Sequence, residues 1–424
     1  MKKILFTLMI GILSIVHTYG NDVLMDAMPI QPTPSSDTLT TLAMPIDMMD
    51  STMLAHIDQA LAWIDTTQCN SDTIIYTLTD SVYKARLQSL PFVIEMPYNP
   101  VVGRYIHRYT KAPKRLATLC AISDFYFPMF EDHFALYHLP YELKYLAVVE
   151  SALNPQARSH MGAVGLWQFM PSTGKKYGLE INSLVDERMD PVRSTDAACR
   201  FMNSLYSIFN DWTLAIAAYN CGPGNVNKAI RYAGNKKDFW SIYPYLPKET
   251  RNYVPLFIAV AYVMNYAHAH GICPAVTHHT MVTDTVVTFH RMHLKQIAEV
   301  LEIDIQEVRR LNPQYALDIV PGGKAYTLCL PIEKTGQYVA STAQILAHKA
   351  DELIHNRRTE IDLAHKTGLN GGYSINGVTY YKIKEGDNLG SIAKKFRCSV
   401  KQLKQWNGLK NDFIRAGKTL KILN

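Results

Sequence analysis

The chain has 424 residues, 48% of them hydrophobic, and a formal net charge of +6 at pH 7. That length holds one domain of ordinary size plus smaller modules and excludes a single small fold. The mild basicity suits an anionic polymer, although solubility alone accounts for the same charge, and basic stretches such as Lys394-Lys395 are too short to point to nucleic acid.

Lys2 and Lys3 precede an apolar run from Ile4 to Val16, and Thr18 and Gly20 place small residues at minus three and minus one of a cleavage site. Residues 1–20 therefore read as a secretory signal peptide, and an exported, periplasmic or cell-envelope location is expected. The run is too short to favour a permanent span. The first cysteine is Cys69, so a bacterial lipid anchor has no residue near the cleavage site. Residues 21–79 form a lead-in rich in Thr, Asp, Met and Pro up to Asp50, with a short amphipathic helix expected from Ser51 to Ile64. Seven scattered cysteines without CxxC spacing argue against metal, and their pairing is not readable.

From Asp80 the chain is continuously patterned. SVYKARLQSL and VVGRYIHRYT read as two helices separated by prolines. Pro128 is expected to start a helix through Leu136 and Pro140 to open the next, followed by helices over Pro191–Phe209, Trp212–Tyr219, Asn225–Ala233 and Thr250–Ala269. No strand period occurs here, so a mainly α domain is expected, with at most a small hairpin between Gly162 and Trp167.

Leu143, Leu146, Ala147 and Glu150 fall at i, i+3, i+4 and i+7, which places the carboxylate on an apolar stripe. Lost hydration penalises its charged form and raises its pKa towards that of a general acid. A buried Glu satisfied by an Arg is the alternative. Asn154-Pro155 is expected to end the helix. Gly162 and Gly165 then free a short turn that leads into Trp167, Gln168, Phe169 and Met170, where aromatic faces beside an amide suit a sugar. A purely core role for Trp167 and Phe169 is the alternative. Asp186, Glu187 and Asp190 are candidates for a second carboxylate, but Arg188 and Arg193 among them favour a solvated or ion-paired cluster.

The ordered motifs ES at Glu150, GLWQFMP at Gly165, AAYNCGPGNV at Ala217 and ETRNYVP at Glu249 resemble those of the family 1 lytic transglycosylases, and most of all the membrane-bound type D murein enzymes. The resemblance covers roughly Asp80 to Asn424. It implies a goose-type lysozyme-like catalytic domain over residues 80–275 and small βααβ LysM modules after it. It also implies peptidoglycan glycan strands as partner, a peripheral association with the envelope, and no cofactor or metal. Glu150 would be the sole catalytic residue, acting as acid and then base. Ser151, Gln168, Phe169, Met170, Tyr219, Asn220 and Tyr253 match substrate-contacting positions. For Ser151 a backbone bond at a helix end, for Tyr219 a core role and for Asn220 a helix C-cap remain the plain structural readings. Cys221 reads as a small buried residue.

The fifteen histidines contain no HExxH, and no phosphate-cradling glycine motif occurs. Residues 379–423 show strand, helix, helix and strand and resemble a LysM domain. Asp387, Asn388 and Leu389 stand in its first glycan-binding loop, and Phe413 and Ile414 in its second. Residues 280–332 resemble a divergent copy whose first loop reads His290-Arg291-Met292-His293, and residues 333–377 are expected to be a linker with a helix. Nothing in the sequence sets the oligomeric state.

Overall fold

The computed structural model describes residues 64–65, 78–273, 276–277, 282–358, 361–362, 372–375, 378–396, 398–409 and 411–423. The signal peptide and the helix expected before Ile64 lie outside them. Strand β1 (Ile64–Asp65) pairs antiparallel with β2 (Val276–Thr277).

The first domain is helical. Helix α1 (Asp80–Ser89) and α2 (Pro100–Thr110) precede α3 (Pro113–Tyr137). Pro100 and Pro113 sit in the first turn of their helices, where a missing N–H costs nothing, and the Asn99 side chain caps α2 by accepting from Val101 and Val102 N–H. Pro128 does not start a helix as the sequence suggests; it lies inside the 25-residue α3. The apolar stripe of Leu116, Leu119, Tyr126, Phe130 and Phe134 continues through it, and burying that stripe outweighs the cost of about 3 kcal/mol of an internal proline.

After a 3-10 turn (Tyr141–Lys144) comes α4 (Tyr145–Ser151), which carries Glu150 near its end. It stops three residues before the expected Asn154-Pro155 break, because Ala152 and Leu153 both turn left-handed (φ 51° and 62°). Short α5 (Pro171–Lys176) leads to α6 (Pro191–Phe209), α7 (Trp212–Cys221), α8 (Pro223–Tyr232), α9 (Phe239–Ile242) and α10 (Lys248–Asn265). Helix α10 is buried along Tyr253–Val263 and packs against α2, α4 and α7, so it is apolar all round as a central helix must be. The region expected to hold a hairpin has two isolated bridges, Arg158 to Val164 and Val164 to Phe169.

The second domain pairs β3 (Thr283–Thr288) with β6 (Tyr326–Pro331), register Thr283 to Pro331 through Thr288 to Tyr326. Between them lie β4 (Met292–His293), α11 (Leu294–Leu301), α12 (Ile305–Leu311) and β5 (Ile319–Val320), with β4 paired to β5. The stretch expected to be a linker folds instead. Helices α13 (Ile332–Ala340) and α14 (Thr342–Ala347) and a π turn (Asp351–His355) place Tyr338, Ile345, Leu353 and Ile354, with Ile361, in the core of this domain. Their apolar residues are sparse among polar ones, so composition alone hides the buried stripe.

The third domain has β8 (Val378–Lys382), α15 (Leu389–Lys395), α16 (Val400–Asn407) and β9 (Thr419–Leu423) in the expected order. A further strand, β7 (Gly372–Ile375), comes from the expected linker and gives an antiparallel sheet in the order β7-β8-β9. The described cysteines, Cys120, Cys199, Cys221, Cys273, Cys329 and Cys398, are free thiols.

Gly165 holds φ +90°, and a Cβ there would lie 1.8 Å from the Arg188 carbonyl oxygen. Gly165→Ala meets both a forbidden backbone geometry and a backbone clash. It is expected to cost more than about 3 kcal/mol, read as a fall in melting temperature or loss of soluble protein.

Candidate active site

Glu150 stands half-buried at the last turn of α4. The Tyr253 hydroxyl, presented by buried α10, donates to its Oε1. Burial raises the Glu150 carboxyl from its ordinary 4.5 to about 7, against the pull of the Tyr253 hydrogen bond, which favours the charged form. The Arg-satisfied alternative does not arise: the partner is a phenol. The same burial and the nearby carboxylate push the Tyr253 and Tyr219 phenols well above their ordinary range, so both stay neutral donors.

The loop after α4 is built from backbone bonds. Ser151, fully buried, donates through Oγ to the Ala147 and Leu166 carbonyls, which joins the helix end to the loop. Its role in the structure is thus the backbone bond at a helix end. Tyr219 Oη donates to the Trp167 carbonyl at 2.7 Å. Gln168, itself left-handed (φ 47°), turns its amide back to the Gly165 and Ala157 carbonyls. Trp167 and Phe169 correct the sugar-stacking expectation. Both are buried, with the indole N–H donating to Thr195 Oγ1 at 2.9 Å, so their rings fill the core beneath the loop. Met170 is exposed. Asn220 is exposed inside α7 rather than capping it, and accepts from the Thr250 hydroxyl at 2.8 Å. Cys221 is half-buried, not the fully buried residue expected.

The structure thus brings Glu150, Ser151, Tyr219 and Tyr253, with the loop through Gln168, to one place. Thr250 and Arg188 were not singled out for this region. Arg188 is 5% exposed, chelates Asp186 (Nε to Oδ1 2.9 Å, Nη2 to Oδ2 2.8 Å) and donates from Nη1 to the Gly162 and Phe169 carbonyls. The carboxylates weighed as a second catalytic group are engaged elsewhere: Asp186 on Arg188, Glu187 near Arg193 and on the Glu180 N–H, and Asp190 capping α6. The cluster is ion-paired, and Asp186, Arg188 and Asp190 are buried rather than solvated. Among the described residues no group of three or more His, Cys, Asp or Glu side chains is arranged to hold a metal ion.

In the third domain Asn388 caps α15 in a capping box with Ser391. Asp387 accepts from the Tyr381 hydroxyl (2.6 Å) and Lys384 N–H (2.8 Å), and Leu389 is buried, which corrects its placement as a glycan contact. Phe413 is 71% exposed, and with Ile414, Ile383, Asn407 and Leu409 it lines a groove of about 260 Å³.

Comparison with known proteins fixes the class. Residues 129–242 match the Transglycosylase SLT domain, 282–347 the LysM-like domain of lytic transglycosylase MltD, and 381–423 the LysM domain. The chain thus carries a transglycosylase SLT domain followed by two LysM-type modules. It is 33% identical over 290 residues to membrane-bound lytic murein transglycosylase D of Escherichia coli (strain K12), which covers 67% of this chain and 60% of that one. The soluble lytic murein transglycosylase of the same strain is 32% identical over 120 residues, 27% of this chain and 19% of that. A crystal structure of the 70 kDa soluble lytic transglycosylase from Escherichia coli covers 56% of this chain and 47% of its own, at 19% identity and TM-score 0.31. The chain spans about 60% of the length of the type D relative.

A carboxyl whose folded pKa lies above its unfolded one favours folding only in its protonated form. Relative to a neutral isostere it costs nothing below pH 4.5, and the penalty on its charged form grows above that pH and is complete once pH has passed about 7. Glu150→Gln is therefore expected to match the parent in stability near pH 4 and to be the more stable at pH 8, by up to about 3 kcal/mol. Thermal denaturation at the two pH values measures this.

Proposed function

We propose that the protein is an exported peptidoglycan lytic transglycosylase. The observation that carries this reading is a single half-buried carboxyl, Glu150, with a pKa raised to about 7 and a tyrosine hydroxyl fixed on it. In that state it is ready to give a proton near neutral pH. Most glycosidases need a second carboxylate, and the three candidates, Asp186, Glu187 and Asp190, are tied up in ion pairs, a backbone bond or a helix cap.

Glu150 protonates the oxygen between N-acetylmuramic acid and N-acetylglucosamine as the C1–O bond breaks. The resulting carboxylate then takes the proton of the muramic C6 hydroxyl, whose oxygen bonds to C1. The product is a 1,6-anhydro end, no water is consumed, and Glu150 regains its proton. The C6 hydroxyl is held on the same ring, so its effective concentration exceeds that of solvent. Tyr253 orients the acid in both halves. Gln168, Met170 and Asn220 form the wall around the sugar, and the third domain grips N-acetylglucosamine-containing strands along the Phe413 and Ile414 lip.

Digestion of peptidoglycan sacculi is expected to release muropeptides about 18 Da lighter than hydrolytic products, the loss of one water that ring closure requires. Reducing ends in the mass spectrum would make the protein a muramidase instead, and absence of release a wall-binding scaffold. Glu150→Gln is expected to lower kcat on the order of 10³-fold while sacculus binding persists. Tyr253→Phe removes the bond that favours the carboxylate, so the alkaline limb of kcat/KM moves to higher pH. An unmoved limb in the pH profile would show that the limb belongs to another group.

A further inference from the structure

The second domain differs from a glycan-gripping module at the place where its two lips meet. Its first loop runs through β4 and its second through β5, and the two pair antiparallel, Met292 to Val320 and His293 to Ile319. Arg291 Nε donates to the Pro321 carbonyl at 3.0 Å and Gly323 N–H to the Phe289 carbonyl at 2.9 Å. A Cβ on Gly322 would stand 2.3 Å from Arg291 N, so the two backbones are in contact. The lips are zipped.

The segment just before β5 faces the helical domain. Asp186 N–H donates to the Gln314 carbonyl (3.0 Å), Ala316 N–H to the Leu184 carbonyl (2.8 Å), and Val185 bridges Tyr315. Leu184 and Val185 belong in sequence to the helical domain, yet they are buried in the core of the second. Lys324 pairs with Glu180 at 2.6 Å, and the Arg310 guanidinium lies 5.7 Å from the Phe125 ring centre. From Asp186 the contacts run on: the carboxylate chelates Arg188, Arg188 Nη1 bonds the Gly162 and Phe169 carbonyls, and the same loop bonds Ser151 through Leu166 and Tyr219 through Trp167.

We propose that the second domain is a buttress of the catalytic unit. Its Gln314–Ala316 edge holds Leu184–Asp186, and Arg188 is the positioning residue that sets the 162–169 loop against Glu150. The catalytic consequence rests on the transglycosylase reading above. Arg suits this task and Lys does not: only a planar fork serves a carboxylate bidentately and two carbonyls at once. A loop displaced by about 1 Å is enough to cost on the order of 10²-fold in rate.

The test uses the full chain with two variants, Ala316→Pro and Arg188→Lys. The first deletes the N–H that bonds Leu184; Tyr315, at φ −93° and ψ 105°, already has the extended backbone that a following proline requires. The second keeps the charge, so it covers the case in which the proline variant does not fold. Hydrogen–deuterium exchange of residues 157–169 is expected to quicken at least about tenfold in both, with α6 and α10 unchanged. On sacculi kcat should fall roughly 10- to 100-fold with KM changed less than about threefold. Unchanged exchange in the loop, or kcat within about twofold of the parent, overturns the proposal. A parent chain inactive on sacculi sinks the transglycosylase reading instead, and the exchange measurement then decides the coupling alone.

Discussion

Removing a carboxyl group from water is costly, and the helical domain is arranged around one residue that bears that cost. Glu150 sits at the end of α4 because Ala152 and Leu153 turn left-handed directly after Ser151, which ends the helix. Helix α10, apolar on every side, brings the Tyr253 hydroxyl to that carboxyl, while α7 brings Tyr219 to the loop that closes over it. Burial and hydrogen bonding push the carboxyl in opposite directions. Burial wins, which leaves the group able to exist in either protonation state near neutral pH.

Much of this was legible in the sequence. Helices with an N-terminal proline and an Asn or Asp cap announce themselves, and α6 runs from Pro191 to Phe209 as the pattern indicates. The apolar stripe through Leu146 and Ala147 put Glu150 at a buried edge. Pairings between distant segments were not legible. Gln168, Trp167 and Phe169 read as a sugar-facing set because aromatics beside an amide suit a sugar, yet the turn at Gly165 sends both rings inward. Asp186 and Arg188 read as one more charged cluster; spacing of two carries no helical signal, and only the fold shows that Arg188 spans to the Gly162 and Phe169 carbonyls. Residues 333–355 read as part of a linker because Tyr338-Val339, Ile345-Leu346 and Leu353-Ile354 are short apolar pairs separated by polar residues, and a stripe that thin is recognised only by what it packs on.

The two LysM-type domains start their first helices in the same way. His293 caps α11 in a box with Gln296, and Asn388 caps α15 in a box with Ser391. Local capping survives the change of side chain because either offers an acceptor to a first-turn backbone N–H, that of Lys295 for His293 and that of Ser391 for Asn388. What differs lies in the loops: one domain pairs them with each other, and the other leaves Phe413 exposed beside its groove.

Pairing β4 with β5 has a consequence for avidity. Two working grips on one chain would hold a glycan strand with a strength that approaches the product of two affinities, since release of one leaves the other within reach of rebinding at high effective concentration. Under the function proposed above, with one set of lips sealed by its own backbone, that multiplication is lost, and attachment through the third domain has the lifetime of a single contact.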